Sequence, residues 1–454
     1  MSFGSVTFLF YFLPFFLVLH VLLPWRNALL LVGSVFFYAW GGIEDLWFVG
    51  LTWLNCLACG RALLAAPAPL ARWWLAVGIG LQVALLIGVK YWGFLTSGTA
   101  QPASDLPLGV SFISFHALSY LIDSHRQHSA GNRQPLRLAL YLLLFPQLIA
   151  GPIIRFAAIT RQFDHRFITA GRVRWGLELL IGGLAMKLLL ANPLAWPVEA
   201  AFQPMTAGTL SAPGAWLALW CFTLQIYCDF AGYSRIALGL ALLFGFRFPR
   251  NFRAPLTARS LTEFWRRWHI SLSRWFRDYL YIPLGGNRRG PWRTGGNLLI
   301  IFALCGLWHG ANWTFLFWGL IHGAFLLLER SAWGVWLAKL PQPLAQGYML
   351  GVVMVSFALF RAESLPQAGQ LLSALVAGGA AQPGELAHLL PVSIALPLAL
   401  ASLAVLPLHR LAIWRHKLLR PGAVVRSAVY LILLAALAIP LATGTFTPFL
   451  YFRF

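Results

Sequence analysis

The sequence predicts an all-α, polytopic membrane protein with about 11–12 membrane segments, some of them tilted or re-entrant. Three observations carry that prediction. The 454 residues are 59% hydrophobic and only 10% charged, where a soluble domain carries about 25% charged residues. The apolar residues fall in long runs punctuated by basic, proline or glycine-bearing turns. Lys and Arg number 34 against 13 Asp and Glu, a net charge of +21. Too little charge remains to build a water-facing surface, which excludes an ordinary soluble enzyme, and the low polarity excludes long disorder. In so apolar a chain the basic excess points to cytoplasmic loops and lipid-facing ends. Nucleic acid is not expected as a partner.

Candidate spans lie near 5–23, 28–41, 46–60, 73–95, 107–122, 175–192, 213–246, 297–308, 313–329, 346–361, 391–407 and 424–443. Several fall short of the roughly 20 residues that a crossing helix needs. The N-terminal run lacks a basic n-region and a small-residue cleavage site, so it is expected to be the first membrane helix rather than a signal peptide. Cys56 and Cys59 sit in an apolar stretch without a second ligand pair, and helix packing explains them better than zinc. No disulfide framework is expected.

Orientation follows from basic residues. The 125–174 segment carries Arg126, Arg133, Arg137, Arg155, Arg161, Arg166, Arg172 and Arg174. It reads as cytoplasmic, as do 247–259 and 409–426. The apolar run 136–153 is flanked by bases on both sides and reads as re-entrant or interfacial. Segments 41–45, 96–107 and 193–212 carry no Lys or Arg and read as outside, with both termini. Glu178 and Lys187 are expected at the two interfaces of one span.

Stretch 257–296 is too charged to span and too aromatic for a solvated loop. Trp265, Trp268, Ile270, Leu272, Trp275, Phe276, Tyr279 and Leu280 recur near helical spacing, interleaved with Arg266, Arg267, Arg274, Arg277 and Asp278. An amphipathic helix follows, capped at Thr262 with Glu263 in its first turn. Such a helix either lies at the interface or dips toward a polar cavity.

His309 lies between the apolar runs 298–308 and 313–329, so a hairpin puts it at membrane depth. Gly306, Gly310 and Asn312 around it can break the helix. An ionisable group there marks a pathway or site. His269, His322 and His116 also fall in aromatic or apolar surroundings, whereas His125, His128, His165, His409 and His416 belong to basic loops. Asp229, an acid inside a long apolar segment, is expected to orient a histidine or pair with an arginine. Asp123 ends the 107–122 span. There is no H-E-x-x-H pattern, nucleophile elbow, Walker loop or dinucleotide fingerprint, and no metal or bound cofactor is expected. One imidazole base in a cavity suits acyl transfer, taking the proton of a hydroxyl as it attacks a thioester.

SFHALSYLID (114–123), QLIAGPI (147–153), QIYCDFAGYSRIALGLALLFGF (225–246), the long 251–290 block containing FWRRWHISLSRW, and LWHGANWTFLFWGLIHG (307–323) together resemble the membrane-bound O-acyltransferase family. They most resemble its branch of alginate O-acetylation membrane subunits, with relatives in cellulose and peptidoglycan acetylation and teichoic-acid D-alanylation. The resemblance spans nearly the whole chain. It implies one transmembrane domain over 1–454: N-terminal helices 1–122, a cytoplasmic or re-entrant region 123–174, a catalytic core 175–329 and C-terminal helices 330–454. The helices would surround a central funnel. His309 would be the catalytic histidine, His269 a second functional one, and His322, Asn312 and Asp229 supporting residues. The donor would be a cytoplasmic acyl thioester, acetyl-CoA or an acyl carrier. The group would reach an extracytoplasmic acetyltransferase partner and, through it, a polysaccharide, from a multi-pass protein in lipid of the bacterial inner membrane. The TPFLYFRF terminus resembles an ending found on related subunits or their small partners, which makes Tyr451 a candidate acyl relay. Arg266, Arg267 and Arg274 are candidates for attracting donor phosphates.

Two other classes compete with acyl transfer on sequence grounds. One is a lipid-linked glycan or small-molecule transporter using the histidines as proton relays. The other is a scaffold that anchors an extracytoplasmic enzyme.

Overall fold

In a computed structural model, the described residues are 3–98, 106–126, 134–149, 151–202, 210–381, 383–406, 423–444 and 450. Among them every regular element is helical. Among the described residues five helices are long and apolar enough to cross a membrane: Ile43–Ala65, Ala68–Ser97, Ala212–Leu243, Gln342–Arg361 and Val424–Ala442. Two bent pairs raise that to seven if each is one span: Ala170–Ala191 with Ala195–Phe202, and Trp313–Leu328 with Ala332–Lys339. Other apolar stretches are helical but shorter, among them Arg26–Ala39 and Val110–His125, while Pro291–His309 has the length to cross but begins with a polar turn. The run 136–153 breaks at Leu144 into Pro135–Leu143 and Phe145–Leu148, nine and four residues long, too short to cross.

The chain forms two compact units, one of residues up to 180 with 234–250, the other of 181–233 with 251 onward. In the first unit, Val110–His125 is buried along nearly its whole length. Two of its serines are met internally: Gln82 donates to Ser114 Oγ at 3.2 Å and Lys90 to Ser111 Oγ at 3.1 Å. His116 belongs to this unit, where its Nε2 accepts from Ile154 N–H at 3.4 Å.

The second unit is organised by the hairpin of Pro291–His309 and Trp313–Leu328. Gly306 and Gly319 face each other across it. A methyl built on Gly319 would overlap the Phe302 carbonyl oxygen, and one on Gly306 that of Phe315. Two glycines thus let the backbones touch, the small-residue packing that holds helices together where the hydrophobic effect is absent. Asn312 begins the return helix: its Oδ1 accepts from Thr314 N–H at 3.2 Å and its Nδ2 donates to the Glu363 carbonyl at 2.9 Å.

The stretch 257–296 is not one helix. It breaks into Leu261–Arg267 and Ile270–Phe276 at His269, whose φ of 41° is left-handed. Segment 251–253 holds the break open, since Ile270 N–H donates to the Asn251 carbonyl and Arg253 N–H to that of Arg267. Ser260, not Thr262, caps the first piece, accepting from Glu263 N–H at 3.1 Å. Thr262 is drawn off by Glu329, to which its hydroxyl donates at 2.6 Å.

A candidate active site around three histidines

His269, His309 and His322 all lie in the second unit, at most 3% exposed. They converge on one aromatic cluster. The His309 ring sits 4.7 Å from Trp308, 5.0 Å from Trp318 and 5.1 Å from Phe360. His269 packs 5.8 Å from the same Trp308 and 4.7 Å from Phe230. His322 lies 4.7 Å from Trp318 and 5.4 Å from Trp265. The backbone contact at Gly306 and Gly319 brings the first two rings of the hairpin together. The left-handed turn swings the third into their wall.

Hydrogen bonds distinguish the rings. An indole N–H only donates, so Trp265 Nε1, 3.2 Å from His322 Nδ1, makes that nitrogen the acceptor. His322 Nε2 then donates to Ser356 Oγ at 3.0 Å, and Ser356 passes its own proton to the Val353 carbonyl at 2.8 Å. Both nitrogens of His322 are committed to the scaffold.

His269 is arranged the other way. Its Nδ1 faces Asn251 Oδ1 at 3.3 Å, an oxygen that also accepts from Ser271 N–H and the Ser271 hydroxyl at 3.1 and 3.0 Å. Nδ1 therefore carries the proton and Nε2 presents a lone pair. Nε2 is buried and meets no partner among the described residues, and neither does Trp318 Nε1. His269 lies outside the candidate spans, and burial pulls its imidazole down to about 3. It stays neutral at ordinary pH. Its left-handed φ costs on the order of 1–3 kcal/mol for a non-glycine residue, a strain usually kept where function needs it.

The other candidates scatter. Asp229 is paired with Lys187 at 2.5 Å, with both side chains at most 3% exposed. Its second oxygen accepts from Leu450 N–H at 2.7 Å. Lys187 is accordingly buried rather than interfacial, while Glu178 lies 3.8 Å from the mostly exposed Arg174. A lysine one turn from an acid can be seen in a single helix; this pair joins two helices, so their spacing hid it. Arg267 is held by Glu263 and by Thr257 Oγ1. Arg266 and Arg274 are exposed. Asn312 caps a helix. Tyr451, His409, His416 and most of the 409–426 loop lie outside the described residues. Sequence reasoning missed Asn251, Ser356 and the tryptophan walls. Only the quoted 251–290 block hinted at Asn251, by including it.

A sequence model of the membrane-bound O-acyltransferase family matches residues 73–362. A probable alginate O-acetylase AlgI of Pseudomonas putida is 37% identical, with all of both chains covered. Its counterpart in Azotobacter vinelandii is 40% identical over 84% of this chain and 79% of that one. A peptidoglycan O-acetyltransferase of Helicobacter pylori is 32% identical over 82% and 79%.

Proposed function

This chain belongs to the membrane-bound O-acyltransferase family, and from that premise we propose that it moves an acetyl group from a cytoplasmic thioester, acetyl-CoA or an acyl carrier, toward an extracytoplasmic polysaccharide of the alginate or cellulose kind. It is a multi-pass membrane O-acyltransferase. The proposal places it in the bacterial inner membrane, with a partner acetyltransferase completing the transfer outside.

The observation that carries the reading is the convergence of His309 and His269 on Trp308, with His322 locked beside them. His309 acts as general base. It takes the proton of an acceptor hydroxyl while that oxygen attacks the thioester carbonyl. The C–S bond breaks, and the imidazolium returns the proton to the departing thiolate. His269, neutral and fixed in tautomer, offers its Nε2 lone pair to a donor group of the substrate. His322 holds Trp265 and Trp318 in place. Arg266 and Arg274 favour an anionic donor by their charge. Tyr451 is proposed as the relay that carries the acetyl group briefly as a phenyl ester. Support for that step is the neighbouring Leu450, whose backbone is held by buried Asp229.

One experiment tests the whole reading. Purified protein is incubated with radiolabelled acetyl-CoA, and label is sought on Tyr451 and on an added partner protein. His309→Ala, shown to be folded by its melting curve, should lose transfer by about 10²–10⁴-fold. Unchanged labelling in His309→Ala would remove it as the base. Label on the partner but never on the chain would remove the relay alone.

A further inference from the structure

A second polar site belongs to the first unit, whereas the three histidines belong to the second. Arg166 follows the Phe156–Asp164 helix and is only 9% exposed. Its guanidinium rests on the Phe246 ring, 4.7 Å from the centroid, and Nη1 donates to Asn27 Oδ1 at 2.5 Å. Asn27 is turned that way because its Nδ2 donates to the Phe163 carbonyl at 3.0 Å. Nε of Arg166 is buried with no partner among the described residues, and no carboxylate pairs with this arginine there. Burial, and then the nearby Arg26, pull Arg166 down to about 10. A buried cation without a counter-ion is expensive, so the site is built for a negative charge.

The rest of the pocket agrees. Arg166 lines a cavity of about 400 Å³ with Trp25, Arg26, Asn27, Phe163 and Asp164. Arg26 is exposed at the first position of the 14-residue Arg26–Ala39 helix, whose N-terminus has no side-chain cap. Uncapped N–H groups and the helix dipole favour an anion there. Asp164, the one carboxylate in the lining, is already neutralised by two bonds from Arg137. Trp25 in the lining and Phe167, next to Arg166 in the chain, are 73% and 67% exposed, the signature of a membrane–water boundary.

We propose that Arg166, Arg26 and the start of the Arg26–Ala39 helix form a phosphate-binding pocket occupied by the head group of an anionic membrane phospholipid. Guanidinium forks suit phosphate oxygens. The exposed aromatic pair favours a lipid over free phosphate, because it gives the acyl chains an apolar surface.

The test uses the full chain in detergent, with thermal unfolding titrated by dihexanoyl phosphatidylglycerol, dihexanoylglycerol or inorganic phosphate. Phosphatidylglycerol should raise the melting temperature saturably, and dihexanoylglycerol should not. Arg26→Gln, at an exposed position that the fold does not need, should weaken that response about tenfold in concentration. Arg166→Gln should abolish it, and Arg166→Lys should restore part. An equal response to inorganic phosphate would keep the phosphate site and overturn the lipid as its occupant. Responses to phosphatidylglycerol that Arg26→Gln leaves unchanged would overturn the site.

Discussion

Asn251→Leu removes one oxygen and tests the whole arrangement of His269. Asn251 is 1% exposed, and its Oδ1 serves Ser271 N–H, the Ser271 hydroxyl and His269 Nδ1 within 3.3 Å. Leucine keeps the branching at Cγ and withdraws the acceptor. The serine hydroxyl can turn elsewhere and the imidazole can shift its proton, but the Ser271 N–H cannot move, and a stranded donor costs about 1–3 kcal/mol of stability. Function should suffer separately. With Nδ1 no longer pinned, His269 can place its proton on Nε2 and withdraw the lone pair from the substrate side. A substrate donor left without its acceptor costs about 1–3 kcal/mol, so transfer should fall by about 10-fold to 10²-fold. Asn251→Asp retains the Oδ1 acceptor and should keep at least about a tenth of the parent rate. The assay is the initial rate of label transfer from radiolabelled acetyl thioester in proteoliposomes, read beside the melting curve. A folded Asn251→Leu protein within about threefold of the parent rate would refute the tautomer argument. Should the leucine variant not fold, a loss beyond about tenfold in a normally melting Asn251→Asp would do the same.

Two further outcomes follow from packing and protonation. Gly319→Ala and Gly306→Ala each drive a methyl into a backbone carbonyl that cannot turn aside, so each should cost at least the 1–3 kcal/mol or so of an overpacked core. Gly80→Ala, which meets open space on its helix, should melt at or slightly above the parent, and equal melting of all three would show that the hairpin is not packed on these glycines. Since the folded chain holds His269 near 3 while its ordinary value is 6.5, the unfolded chain binds the proton first as pH falls. Stability should drop through that window, by about 1.4 kcal/mol per pH unit from this group. His269→Gln should melt with a shallower pH dependence between about pH 6 and pH 4, and parallel slopes in the two proteins would refute the buried neutral imidazole.

The apolar runs were readable because membrane depth forces backbone groups into helices, and the predicted spans are helical over most of their described residues. The position of His309 between two such runs was readable for the same reason. The break at His269 was not, because helical spacing continues through Trp268 and Ile270 while the decisive bonds come from Asn251, eighteen residues earlier. The partner of Asp229 was hidden likewise: Lys187 lies on another helix, and charge counting cannot choose among distant cations. Gly306 looked like a helix breaker beside His309, yet the Pro291–His309 helix runs straight through it. What it supplies is the absence of a side chain against Phe315.

The left-handed turn at His269 sets selection for stability against selection for turnover. Any library screened only for thermostability or expression should favour glycine at 269, because glycine adopts that backbone without penalty. If His269 has the proposed role, such a winner would express better and transfer far more slowly. Ranking variants of this enzyme by yield would therefore purge the residue that the fold strains itself to present, and neutral drift in a lineage that no longer needs acyl transfer should show glycine there first.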